Sequence, residues 1–256
     1  AAAGRLPVVS QLLAAVAVAI AAIPGAAMAL QFDRSVIADH GSIWQVVTGH
    51  WTHWSLSHLF WDVLAFAVLG CLCETSDRRR FLWCVAASIP TIPAVLWFTE
   101  PWMQTYRGLS GIDSALFALF VSGLMKNAAR EGGRVVLVMG TTLFTAFAGK
   151  LAFEFLAGQT VFVDSASAGM VPVPMAHVVG MVVGVACGTA GTFDSQCSQF
   201  QGEDTRPDVP AVKRHHRPHS GAFLMPPALP VVMTHDEYAL VTMWTRDSQF
   251  LVVTAI

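Results

Sequence analysis

The sequence predicts an all-α membrane protein, a bundle of six transmembrane helices with a short central fourth helix. Three observations predict it. Hydrophobic residues make up 54% of the chain and charged residues only 12%, about half the charged share of a soluble domain. Six apolar runs, at 8–30, 56–73, 81–98, 110–125, 135–156 and 173–190, each approach the ~20 residues that cross a bilayer. A backbone in lipid must satisfy its polar groups internally, so these runs are read as helices. Basic residues then alternate along the chain. Arg5, the run Arg78, Arg79 and Arg80, and the group Lys126, Arg130 and Arg134 fall at alternate connections, which places that side in the cytoplasm. The opposite connections carry only Arg34 and Arg107, with Lys150 near the outer end of the fifth run.

The net charge of −2 leaves no basic excess of the kind that draws a protein to nucleic acid. The partner that the composition names is the lipid bilayer. Five cysteines (Cys71, Cys73, Cys84, Cys187 and Cys197) form no metal-type array and are read as buried thiols rather than disulfides or zinc ligands.

The first run is followed by Pro24-Gly25 and by Ala27-Met28-Ala29, which also fits a signal peptide with an A-x-A cleavage site. A permanent first helix is preferred because the downstream polar sites then face the expected side; cleavage would leave five helices. The second helix carries His58 and Asp62 near its outer end, spaced i, i+4 on one face. The fourth run has 16 residues, about 24 Å of helix against a hydrocarbon core of about 30 Å. Ser110 would therefore start below the outer surface and meet water only through a cavity opening outward, lined by irregular backbone at 106–109. On the fifth helix Lys150 and Glu154 are i, i+4 and expected to pair. His177 lies just inside the outer end of the sixth. Asp113 has no evident partner. After Ala190 the composition turns polar, with a basic run from Lys213 to Arg217, so a membrane domain at 1–190 and a separate tail at 191–256 are expected. Residues 240–244 and 250–256 have a strand–turn–strand look.

Polar side chains inside spanning helices are costly and mark function by default. His58, Asp62, Ser110 and His177, from three helices, share one layer. Two stripes of small residues say which helices touch: Ser110, Ser114, Ala118 and Ser122 on the fourth, and Ala176, Gly180, Gly184 and Gly188 on the sixth. Such faces let helix backbones approach closely in lipid, bringing the Ser110 hydroxyl toward the His177 imidazole as in a base-activated nucleophile. The competing interpretation is ordinary packing with a satisfied interfacial histidine. Gly108-Leu109-Ser110-Gly111 opens a helix whose free N–H groups and dipole can hold an oxyanion. It is not the G-x-S-x-G elbow, since Ile112 occupies the last position. His58 could add a second donor oriented by Asp62, or the two could merely tie helices together. A metal held by His50, His53 and His58 with Asp62 or His177 is a weaker alternative, lacking an H-E-x-x-H helix; no metal or other cofactor is expected.

These residues together resemble the rhomboid family. The stretch from His53 through His58 to Asp62 resembles its H-x4-H-x3-N second-helix motif, Gly108-Leu109-Ser110-Gly111 its nucleophile motif, and Ala176-His177 with Gly180 and Gly184 its A-H-x2-G-x3-G sixth helix. Leu69-Gly70 followed by Glu74 fits the end of the second helix. The resemblance covers roughly residues 8–190. It implies a rhomboid-like bundle and a serine endopeptidase without a cofactor, in which Ser110 attacks a peptide carbonyl and His177 shuttles the proton. It further implies an oxyanion site at the Ser110 N–H and His58, and substrates with one transmembrane segment, cut near the outer face of a bacterial inner membrane. Asp62 departs from the family's usual Asn. An ionised carboxylate would repel an oxyanion, so Asp62 must be protonated, turned to hold His58 as a cation, or outside the hole. The first outer loop lacks the Trp-Arg pair of many rhomboids, although Trp44 is present. The compact core and Arg107-Gly108-Leu109-Ser110-Gly111 resemble the rhombosortase branch, which implies C-terminal Gly-Gly sorting tails as substrates. Two rivals remain open. One is a non-catalytic relative that binds membrane clients; the other is a channel or transporter, for which inverted repeats or broken helices are expected and not evident.

Overall fold

The computed structural model describes residues 6–161, 163, 169–190, 241–245 and 248–252. Contacts divide the chain into two units, Ala1–Asp194 and Ser195–Ile256. The second contains an antiparallel hairpin of Val241–Thr245 and Ser248–Val252, with Val241 opposite Val252. The two strands expected there are present, with somewhat different bounds. Arg5, Cys197 and the basic run at 213–217 lie outside the described residues.

The first unit begins with α1 (Val8–Ala22). The expected helix at 8–30 breaks at Ile23–Gly25, and Ala26–Leu30 (α2) is a separate short turn. Pro24 supplies the reason, because it lacks an N–H and disfavours helical geometry in the residue before it; Ile23 is extended at ψ 116°. Hydrogen bonds tie α1 to later segments of the chain, among them one from Gln11 Nε2 to the Ala67 carbonyl at 3.2 Å. The buried Glu74 carboxylate accepts the N–H groups of Val9 and Ser10 at 3.1 and 2.8 Å, satisfying donors that a helix start leaves open. Trp51 Nε1 donates to the Leu13 carbonyl at 3.1 Å.

After α3 (Arg34–His40), capped by Asp33, come α4 (Gln45–Thr48) and a 3-10 turn at Gly49–Trp51. Next is α5 (Leu56–Thr99), two helical arms merged across Asp77, whose φ −153° and ψ 91° interrupt the helix. Asp77 restarts it by accepting the Arg80 N–H at 3.0 Å, as an N-cap does. The arms, 56–76 and 78–99, correspond to the second and third apolar runs. α6 (Ser110–Glu131), α7 (Arg134–Ala157) and α8 (Pro174–Thr189) complete the unit.

α5, α6 and α7 are long and apolar enough to cross a membrane, while α1 and α8 are apolar but shorter. The fourth helix is not short as expected: α6 has 22 residues and continues past Met125 to Gly132, which ends it in the left-handed conformation at φ 76°. Hydropathy marks where apolar side chains stop, whereas Lys126–Glu131 are good enough helix formers to carry the backbone on. The expectation that α6 is central fits, since it is the most buried of the three.

α6 and α8 meet backbone to backbone. A Cβ on Gly180 would collide with the Gly111 carbonyl, one on Gly184 with the Ala115 carbonyl, and one on Gly188 with the Ser122 hydroxyl. The sixth-helix stripe is thus the contact face. On α6 the seam runs through Gly111, Ala115, Ala118 and Ser122 rather than through Ser110 and Ser114, which stand beside it.

Candidate active site

The loop before α6 is anchored at every residue from Thr105 to Leu109. Thr105–Tyr106 (β2) pairs antiparallel with Phe32–Asp33 (β1), matching Phe32 to Tyr106. Arg107 Nε donates to Gln31 Oε1 at 2.8 Å. The Tyr106 hydroxyl donates to the Gly108 carbonyl at 3.2 Å, and the Gly108 N–H donates to the Gly49 carbonyl at 3.3 Å. Gly108 adopts φ +126°, and a Cβ there would meet His58 Nε2 at 2.9 Å and Asp62 Oδ2 at 3.0 Å. Both the backbone conformation and the space demand glycine. Leu109 N–H donates to Asp62 Oδ2 at 2.9 Å, and Ser110 comes next as the first helical residue with its own N–H at the helix start.

The four residues expected to share a layer, His58, Asp62, Ser110 and His177, border a common cavity of about 910 Å³, walled by α5, α6, α7 and α8 and by the loop at 102–107. His58 and Asp62, on α5, approach each other at 3.2 Å between Nε2 and Oδ2. His53 Nε2 reaches the same oxygen at 3.3 Å, although its N–H does not align for a hydrogen bond. Asp62 therefore faces two imidazoles and holds the loop before α6 through Leu109. Among the described residues the Ser110 hydroxyl makes no hydrogen bond, and Ser114, one turn on, donates back to the Ser110 carbonyl at 2.8 Å.

His177 has a partner that the sequence does not assign to it. Its Nδ1 lies 2.9 Å from Glu154 Oε2. The expected Lys150–Glu154 pair forms at 2.7 Å through the other carboxylate oxygen. Lys150 Nζ is 3.4 Å from the same Nδ1. An ionised carboxylate can only accept, so this contact is a hydrogen bond in the tautomer that carries its proton on Nδ1.

A comparison with known families matches the rhomboid domain to residues 40–192. The chain belongs to the rhomboid family. No curated protein matches it. Rhomboids are serine intramembrane proteases, and with its apolar helices this rhomboid is an integral membrane protein.

Sequence spacing misses several features of this rhomboid's cavity region. His53 falls in an outer loop by its position in the chain, yet it is 7% exposed and packs against His58, with ring centroids 5.2 Å apart. Glu154 has only Lys150 as its partner by spacing. The signal that could have linked it to His177 is an acid near the outer end of an apolar run, at the depth expected for that histidine. His50, also in the outer loop by position, is fully buried, with Nε2 3.0 Å from the Ile89 carbonyl oxygen. Asp113 borders the cavity with Oδ1 unbonded among the described residues.

Proposed function

We propose that this rhomboid is an intramembrane serine endopeptidase that cuts membrane-anchored substrates near the outer face through a dyad of Ser110 and His177. The observation that carries the reading is the α6–α8 seam. Backbone contact at Gly111–Gly180 holds the residue that starts α6 and the histidine one turn before Gly180 on the wall of a common cavity. Catalytic hydrogen bonds often tighten only when substrate is bound, so an unbonded Ser110 is compatible with this role.

In this mechanism the Ser110 hydroxyl oxygen adds to the scissile carbonyl carbon while its proton passes to His177 Nε2. The oxyanion is held by the Ser110 N–H at the start of α6 and by His58. Collapse of the intermediate expels the amine, protonated by His177, and leaves an acyl-enzyme that water hydrolyses by the same route in reverse. Asp62 accepts the Leu109 N–H and lies 3.2 Å from His58 Nε2, so its carboxylate steadies both the loop and the proposed oxyanion donor.

Six spans with the Arg78–Arg80 side cytoplasmic would open the cavity outward and leave a tail from 191 in the cytoplasm. Single-span proteins whose helix is unstable near that face are the broad substrate class, and C-terminal Gly-Gly tails the narrower, rhombosortase-like one. Cleavage of a panel of both kinds in membranes, by the full chain and by Ser110→Ala and His177→Ala, tests the reading. Both substitutions are expected to abolish cutting. Cutting that survives Ser110→Ala would overturn the dyad, and cutting of Gly-Gly-tailed substrates alone would select the narrower class.

A further inference from the structure

We infer that Glu154 is a positioning residue for the reaction: its carboxylate, on α7, accepts the His177 Nδ1–H and fixes the tautomer and ring orientation in which Nε2 can act on Ser110. The inference rests on the Ser110–His177 reading and extends the dyad to a third group. The distance from Oε2 to Nδ1 is 2.9 Å, and Glu154 is 2% exposed. A carboxylate in so dry a place requires partners. Lys150 at 2.7 Å satisfies Oε1, so Oε2 is left to the imidazole. Neutralising Glu154 would have needed Lys150 alone; the placement of the second oxygen on Nδ1, with no hydrogen bond to Nε2 among the described residues, is what a base-orienting acid requires.

The arrangement also has consequences for charge. When His177 takes the Ser110 proton it becomes a cation, and the adjacent carboxylate stabilises it. Lys150, 3.4 Å from Nδ1, moderates that effect and fixes the carboxylate's rotation through Oε1. A glutamine at 154 has one acceptor oxygen for two donors. Serving Lys150 would turn its amide N–H groups toward Nδ1, which favours the tautomer protonated at Nε2 and unable to accept from Ser110.

Labelling of Ser110 by a fluorophosphonate reads nucleophile activation without knowledge of the substrate. The full chain in proteoliposomes would be compared with Glu154→Gln, Glu154→Asp and Ser110→Ala, with the Tm of each recorded. Glu154→Gln is expected to label at least about 10-fold more slowly, within the ~10⁴ lost when a triad carboxylate becomes an amide. Glu154→Asp, which keeps an acceptor-only group, is expected to recover part of the rate. Wild-type labelling by Glu154→Gln would overturn the inference. So would equal slowing in the Gln and Asp variants, which would mark Glu154 as a strut. Absence of wild-type labelling, or labelling that persists in Ser110→Ala, would instead remove the dyad reading and this inference with it.

Discussion

His50 shows how one buried polar residue can set the acid stability of the fold outside the helices. Its Nε2 faces the Ile89 carbonyl oxygen, while Trp51 and Tyr106 pack edge-on around the ring. Burial lowers its pKa from 6.5 to about 4, against the opposing pull of backbone hydrogen bonds to Ile89 and Gly108. Between these values the unfolded chain binds the proton and the folded one refuses it, so stability rises with pH across that window. This contribution is complete above the unfolded pKa and is lost as pH falls toward the folded one. The Tm in detergent is therefore expected to drop as pH falls from about 6.5 to about 4, the window between the unfolded and folded values. In His50→Gln the drop should be shallower, whatever the absolute Tm; an unchanged slope would assign the acid sensitivity to other groups. Residues of this sort divide by legibility. Ser110 and His177 stand out because each is polar at the end of an apolar run and adjoins a stripe of small residues. Glu154's second bond is hidden because its i−4 lysine already accounts for its charge, and sequence spacing does not show that a carboxylate has two oxygens facing two ways. His53 and His50 are hidden because the connection that bears them folds inward, which no periodicity records.

At the scale of elements the decisive contact is the α6–α8 seam. Glycine at 180 is required there because the Gly111 carbonyl occupies the space a methyl would take, whereas Gly149, on α7, has open space around its Cα. The same substitution should therefore act oppositely at the two sites. Gly180→Ala is expected to destabilise by at least the ~1–3 kcal/mol of an overpacked interior and to separate Ser110 from His177. Gly149→Ala is expected to be neutral or stabilising by up to ~1 kcal/mol, the helix preference of Ala over Gly. Thermal unfolding and fluorophosphonate labelling of both variants check this; equal effects would mean that the seam is not the tight contact described. The sixth-helix stripe is readable because glycine lowers helix propensity, so three of them four residues apart in an apolar helix point to close backbone packing. The matching face of α6 is not readable, since Ser110–Ser114 and Gly111–Ala115 are neighbouring small-residue rows about 100° apart on the helix, and spacing alone does not choose between them. The length of α6 escapes hydropathy for a related reason: its last turns are helical without being apolar.

For the whole molecule, the question is which part of the chain suffices for the site. Among the described residues, every one that holds the loop at 105–109 and both histidines of the proposed mechanism lies within Ala1–Asp194, and the rhomboid match ends at 192. The exposed side chains of the first unit include Leu12, Val68, Val138, Phe155 and Leu156, a surface suited to lipid rather than water. Membrane burial then substitutes for the large buried core that a soluble protein of this size would need, and the helices cohere through small-residue seams and buried polar bonds such as Glu74 to α1. Since among the described residues neither feature draws on the second unit, a chain ending at Asp194 is expected to insert in membranes, to resist alkaline extraction, and to label at Ser110 within about twofold of the full chain, a difference worth no more than ~0.4 kcal/mol at the barrier. Membrane insertion with labelling lost would overturn the expectation that the first unit suffices for the labelling.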